Sequence, residues 1–348
     1  MFGIWRCLLA MEVVAHHLLG APVVGFYAVF SFFVLSGFLM TAIMHDTYGY
    51  SLAGFGNYLG NRALRLFPNY WFAVAVSLAL IALLGAAAVA QYNPAMTLPS
   101  TPIDWAQNLS MIFANMLPKE VMPRLVPLAW ALTVELCYYV LIGLGASRTR
   151  VTTFIWLVLS FVYVVVIRQL HPEGGGYLYD AILAGSLPFS VGSLAWHFRK
   201  PIIGMLNRLR FGDARLLIAA RWGLYLGILL LEAQTGWRWL IIFGNWLNII
   251  ISAGIICALF SVQPSNRLRQ VDRAVGDYSY PVYLLHLQMG LLAGVLLYGG
   301  RQYSGVWIFA VGLALTVLLG TICTRIIDPS LDRIRRGVRQ RARERLDR

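Results

Sequence analysis

The sequence predicts an all-α polytopic membrane protein, a bundle of about ten transmembrane helices with both termini in the cytoplasm. Composition is the first support: of 348 residues, 59% are hydrophobic and 12% charged, and the mean hydropathy is +0.68, which does not describe a water-facing chain. The second is length, because the apolar stretches recur at the roughly 20 residues that cross a bilayer core. The third is the uneven placing of basic residues between alternate connections.

Cut by Pro, Gly and Arg clusters, the apolar runs fall at 4–20, 24–43, 68–89, 128–145, 151–168, 178–197, 216–233, 240–260, 279–298 and 305–326. The first has no basic stretch before it and no small-residue cleavage motif behind it, so it reads as a retained span. With the N-terminus inside, 23 basic residues, Arg221 among them, fall on the cytoplasmic side; Lys119, Arg124, Arg168, Arg238 and Arg301 fall outside. The net charge of +13 is therefore topology first. Residues 1–332 form the transmembrane domain and 333–348 a basic cytoplasmic tail, expected as a solvated helix near anionic lipid rather than a nucleic-acid arm.

The longest outer connection, Ala90 to Pro127, carries an amphipathic piece from Trp105 to Met116 and suits a surface lid. A second, Pro201 to Arg215, suits a helix on the inner surface. Cys7, Cys137, Cys257 and Cys323 are scattered and form neither a disulfide framework nor a zinc motif. No metal site is expected, and Walker, GxSxG and dinucleotide fingerprints are missing from the sequence.

Ionisable residues inside apolar spans mark function. The first span holds Arg6, Glu12, His16 and His17. Arg6 and His17 lie eleven residues apart, close to one helical face and roughly 16 Å apart along the axis. Glu12 and His16, one turn apart on another face, are expected to satisfy each other. Glu135 in the fourth span should lie near the depth of His17 and orient it, or bond Tyr138 or Tyr139. Arg62 and Arg65, on one helical face, suit a phosphate clamp with Arg6. Ser36 beside Gly37 reads as a packing seam or channel lining; Tyr283 and His286 read as site residues or helix contacts.

In this order, Arg6 with His17, FFVLSGF at 32–38, NRALRLFPNYW at 61–71, WALTVELCYY at 130–139 and SYPVYLLH at 279–286 resemble the acyltransferase-3 family of integral membrane acyltransferases. The resemblance spans the chain. It departs where many relatives carry an acid before the FF pair, here Phe30-Ser31, and an Asp-Gly-Leu-Arg opening, here Phe2-Gly-Ile-Trp before Arg6. It implies transfer of an acyl group, usually acetyl, from cytoplasmic acetyl-CoA to a hydroxyl of a cell-surface or lipid-linked glycan on the periplasmic side of a bacterial inner membrane. It also implies that Arg6 and His17 are essential and that Arg62 and Arg65 handle CoA phosphates.

The expectation is thus a membrane O-acetyltransferase with His17 and Glu135 catalytic, Arg6, Arg62 and Arg65 holding acetyl-CoA, and Ser36, Tyr283 and His286 lining a channel between the first four spans. His17 acts as general base or as acyl carrier. Trp105, Trp237 and Trp239 suit sugar stacking or an interfacial belt. The rivals are a transporter or flippase with a polar path through the first span, and an anchor for a polysaccharide-synthesis complex.

Overall fold

The computed structural model describes residues 1–171, 175–237 and 239–346, and no strand occurs among them. The helices run α1 (Phe2–Val14), α2 (Val24–Ile43), α3 (Leu52–Leu84), α4 (Ala86–Tyr92), α5 (Pro102–Ser110), α6 (Ala129–Gly143) and α7 (Arg150–Leu170). They continue with α8 (Ser186–His197), α9 (Arg199–Arg208), α10 (Ala214–Thr235), α11 (Trp239–Ser261), α12 (Asn266–Tyr298), α13 (Val306–Ile322) and α14 (Asp328–Leu346). Arg238 and Arg348, both counted in the charge sorting, lie outside the described residues.

Nine segments among the described residues are long and apolar enough to cross a membrane. The expected span at 128–145 is instead the 15-residue α6, about 22 Å long. Protein rather than lipid surrounds its first half, Ala129–Val134 being buried, so a full bilayer length is not required there.

The expected spans at 68–89 and 279–298 are outer parts of two 33-residue helices, α3 and α12, with Pro68 and Pro281 inside them. Proline removes one ladder hydrogen bond, but buried neighbours hold the helix through it. At about 1.5 Å per residue both helices overshoot a bilayer core of about 30 Å. The overshoot carries Arg62, Arg65, Arg273 and Asp277 towards one end, the basic end of the bundle.

Close backbone approach fixes the central helices. A Cβ on Gly3 would meet the Asp272 carbonyl oxygen at 1.8 Å, so α1 and α12 touch backbone to backbone. The Asp272 carboxylate also accepts from the Ile4 N–H at 2.9 Å, capping the start of α1. Between α2 and α8 the same intimacy occurs at Gly37 and Gly192, where a Cβ would stand 2.2 Å from Phe189 O and 2.0 Å from Val34 O.

The long outer connection is pinned down along its length rather than free as a lid. Asn108 Nδ2 donates to Asp104 O and Pro123 O at 2.9 Å each, and Tyr70 donates to Asn108 O at 2.6 Å. Arg124 donates to the carbonyls of Lys119, Val121 and Pro127. Burial pushes its guanidinium down to about 10, still charged at neutral pH. The amphipathic helix here is Pro102–Ser110, earlier than expected, with Thr101 and Asp104 as a capping box.

At the basic end, α9 occupies the place expected for a surface helix. The tail begins its helix at Asp328 and docks on α3: Asn61 Nδ2 donates to Arg335 O at 3.0 Å and Asn69 Nδ2 to Asp328 Oδ1 at 3.2 Å. The tail thus joins the end of the bundle that carries Arg62 and Arg65.

Candidate active site

Five helices wall a narrow cavity of about 90 Å³. α1 contributes Arg6, α2 contributes Phe32, Phe33 and Ser36, and α3 contributes Arg62 and Arg65. Glu135 and Tyr139 come from α6, and Ser279, Tyr280 and Tyr283 from α12. The channel expected between four spans thus has α12 as a fifth wall, placed there by the Gly3–Asp272 contact.

The three lining cations, Arg6, Arg62 and Arg65, have no hydrogen bond or ion pair with any described residue. Arg62 is 6% exposed and its buried Nε has no partner. A buried guanidinium left unpaired is costly, and an anion is what compensates it; Arg6 and Arg65 are partly exposed. Glu135, the one carboxylate among the lining residues, accepts at Oε1 from Ser36 Oγ at 2.8 Å and from the Tyr139 hydroxyl. The lining therefore carries an excess of positive charge.

His17 does not line this cavity, and its hydrogen bonds do not go to Glu135. It lies on a π-helical turn, Ala15–Leu19, at the outer end of α1, a wider turn that straight helical spacing did not anticipate. His17 Nδ1 is 3.0 Å from Val13 O and 3.1 Å from His286 Nε2. His286, fully buried, has Nδ1 3.1 Å from Val282 O and 3.0 Å from Tyr283 O.

Carbonyl oxygens only accept, so this network assigns the hydrogens: His286 is protonated at Nδ1 and accepts at Nε2, and His17 is protonated at Nδ1. His17 Nε2 is left with its lone pair and no partner among the described residues, the atom a general base presents. Tyr283 connects the two regions. Its ring lines the cavity, its hydroxyl donates to Leu128 O at 3.2 Å, and its carbonyl accepts from His286.

The structure thus gathers Arg6, Arg62, Arg65, Ser36, Glu135 and Tyr283 around one cavity and pairs His17 with His286 one helical turn beyond it. It does not bring Glu135 to His17; a second histidine stands where a carboxylate was expected. The Gly37 half of the Ser36-Gly37 pair is the packing seam, and Ser36 faces the cavity. Trp105, Trp237 and Trp239 are exposed and line no part of it.

The expected Glu12–His16 pair is absent. His16 Nδ1 lies 2.8 Å from Ala21 O, while both Glu12 oxygens take Arg221, at 2.6 and 2.7 Å. Arg221 also donates to Asn248 Oδ1 at 2.7 Å and is 2% exposed. It therefore lies inside the bundle, not in a cytoplasmic connection as the charge sorting had it. The signal was present in an arginine well inside an apolar run and a Glu12 with no basic partner in its own span.

Tyr139, the alternative partner expected for Glu135, does donate to it, and Ser279 and Tyr280, polar residues of the same span as Tyr283 and His286, complete the cavity lining. Among the described residues no cluster of His, Cys, Asp and Glu is placed to hold a metal.

Among known protein families, the family model for an acyltransferase domain of the acyltransferase-3 type matches residues 2–325. No curated protein and no solved structure matched. The helices that wall the cavity and carry the histidine pair all lie within the matched residues, and the chain belongs to the acyltransferase-3 family of integral membrane acyltransferases.

Proposed function

We propose that this membrane acyltransferase is an O-acetyltransferase that takes acetyl from acetyl-CoA at the basic, cytoplasmic end. It passes the group to a hydroxyl of a cell-surface or lipid-linked glycan at the opposite, periplasmic end, in a bacterial inner membrane. The observation that carries the reading is the unpaired Arg6, Arg62 and Arg65 in a narrow cavity one helical turn from a histidine with a free Nε2.

The arginines hold the donor diphosphate, each through charge-assisted hydrogen bonds. The pantetheine arm threads past Glu135, whose second carboxylate oxygen is available to its amide N–H groups, and delivers the thioester beside Tyr283. His17 Nε2 takes the proton of the acceptor hydroxyl as its oxygen attacks the thioester carbonyl. The C–O bond forms, the C–S bond breaks, and the imidazolium returns the proton to the departing thiolate. His286 accepts from His17 Nδ1 throughout and holds the reacting nitrogen forward.

The test uses inside-out vesicles given acyl-labelled acetyl-CoA outside and a glycan acceptor inside, comparing wild type with His17→Ala at equal expression. Label on the lumenal glycan only with intact His17 is the expected result. Label on the protein without acceptor would instead make His17 an acyl carrier. No transfer from any short acyl-CoA would return the cavity to a transport path.

A further inference from the structure

We propose that a second cavity, walled by α3, α12 and the tail helix α14, seats the nucleotide end of the donor, an adenosine bearing a 3′-phosphate, whose 5′-diphosphate lies at the boundary with the narrow cavity marked by Arg65. The inference rests on the donor being a coenzyme A thioester. It adds residues that lie beyond the segment matching the family, since α14 begins at Asp328 and the match ends at 325.

The cavity measures about 460 Å³, far roomier than the narrow one, and the two adjoin, with Arg65 and Tyr280 lining both. Narrow then wide is the shape of a slender arm ending in a bulky nucleotide. Five guanidinium groups face it, Arg65, Arg273, Arg335, Arg336 and Arg339, against the carboxylates of Asp277, Asp328 and Asp332. Part of that acidity is spoken for: Asp332 pairs with Arg335 at 3.0 Å and Asp328 accepts from Asn69 at 3.2 Å. Arg273 and Arg339 make no hydrogen bond or ion pair with the described residues.

Two buried polar atoms of lining residues also lack partners. Arg335 Nε belongs to a residue 7% exposed, and Asn69 Oδ1 to one 2% exposed. Buried donors and acceptors are normally satisfied, so an orphan of each kind beside a roomy basic cavity indicates a ligand offering both. Phosphate oxygens match Arg335 and its neighbours, and the exocyclic amine of adenine matches the amide oxygen of Asn69.

An anionic lipid headgroup offers the same phosphate chemistry at a membrane surface. Adjacency to the narrow cavity through Arg65 and Tyr280, and closure by a docked helix, favour the nucleotide.

The deciding measurement is calorimetric binding to the full chain in nanodiscs, of phosphatidylcholine alone and with phosphatidylglycerol added. The ligands are coenzyme A, 3′-dephospho-coenzyme A and adenosine 3′,5′-bisphosphate, against wild type and the exposed pair Arg336→Ala/Arg339→Ala. Wild type should prefer coenzyme A over its dephospho form by about tenfold, the worth of one charge-assisted hydrogen bond, and the double variant should bind both alike. The bisphosphate should bind wild type in both lipids. Coenzyme A bound by both proteins with its 3′-phosphate preference intact overturns the nucleotide seat and leaves the donor reading standing. Coenzyme A ignored by wild type overturns both. Bisphosphate binding that phosphatidylglycerol abolishes, without 3′-phosphate preference, makes the cavity a lipid seat instead. Charge reversal at Arg339→Glu, also exposed, repeats the comparison should the double variant express poorly.

Discussion

His286 Nε2 stands 3.1 Å from His17 Nδ1, and the two carbonyls on the far side of His286 decide which hydrogen each ring carries. A neutral imidazole has one donor and one acceptor. With Val282 O and Tyr283 O fixing the donor of His286, the remaining assignments follow down the chain, ending in a lone pair on His17 Nε2. The relay resembles an orienting carboxylate in geometry but puts no negative charge in the apolar interior, where charge is expensive.

His17→Ala is therefore expected to lower the rate by about 10²–10⁴-fold, the usual range for a positioned general base. His286→Phe, keeping the ring volume without an acceptor, should lower kcat by roughly tenfold and leave the donor KM unmoved. His286→Gln supplies a carbonyl acceptor and should recover part of kcat. Initial rates in membranes at matched expression read all three. A uniform loss in both His286 variants with raised KM would indicate mere structural damage.

Arg62 offers a contrasting signature. Its guanidinium is buried with Nε unpartnered, so removing it relieves a desolvated charge while deleting a phosphate ligand. Arg62→Ala should raise the donor KM by about 10–100-fold with a smaller change in kcat, the value of one strong charge-assisted contact. Arg62→Lys should restore little, because an ammonium lacks the planar fork. Donor titrations of the rate at saturating acceptor measure both, and an unchanged KM would remove Arg62 from the phosphate site.

The sequence made the apolar spans and the candidate residues within each span legible, Arg6 and His17 in the first, Arg62 and Arg65 on one face, Glu135 in the fourth, because hydropathy and helical spacing are properties of one segment at a time. What escaped it depends on two segments meeting. The Gly3–Asp272 contact makes α12 a wall of the site, and that packing put His286, not Glu135, against His17. The π-helical turn at Ala15–Leu19 breaks the regular spacing from which the direction of His17 was read. Pro68 read as the start of a span but sits inside a continuous helix, since buried neighbours outweigh the lost hydrogen bond.

The seam between α2 and α8 predicts a purely steric effect. At Gly192 a methyl group would stand 2.0 Å from Val34 O, a backbone atom that no rotamer change can move. Gly192→Ala should destabilise the fold by about 1–3 kcal/mol through forced helix separation. Gly204, where a Cβ meets nothing within 4 Å, is the control, and Gly204→Ala should leave the melting temperature in detergent unchanged or higher. Equal melting temperatures for the two variants would contradict the packing at the seam.

Glu12 and Arg221 test whether the charges of the first span serve transport or architecture. They form a bidentate pair at 2.6 and 2.7 Å, closed by Asn248, which in turn donates to Tyr27 O at 3.0 Å. The network ties α1, α2, α10 and α11 together and does not line either basic cavity. Removing one partner leaves the other charge buried alone, so Glu12→Leu or Arg221→Met should each cost roughly 3–5 kcal/mol. The double substitution replaces the pair by apolar volume and should recover most of that loss, because desolvation of both charges disappears together. Melting temperature and acyl-transfer rate are read on all four proteins. A stable double variant that still transfers acyl groups assigns the pair to architecture; one that is stable yet inactive would show that these charges take part in the reaction path, as a transport-like mechanism requires.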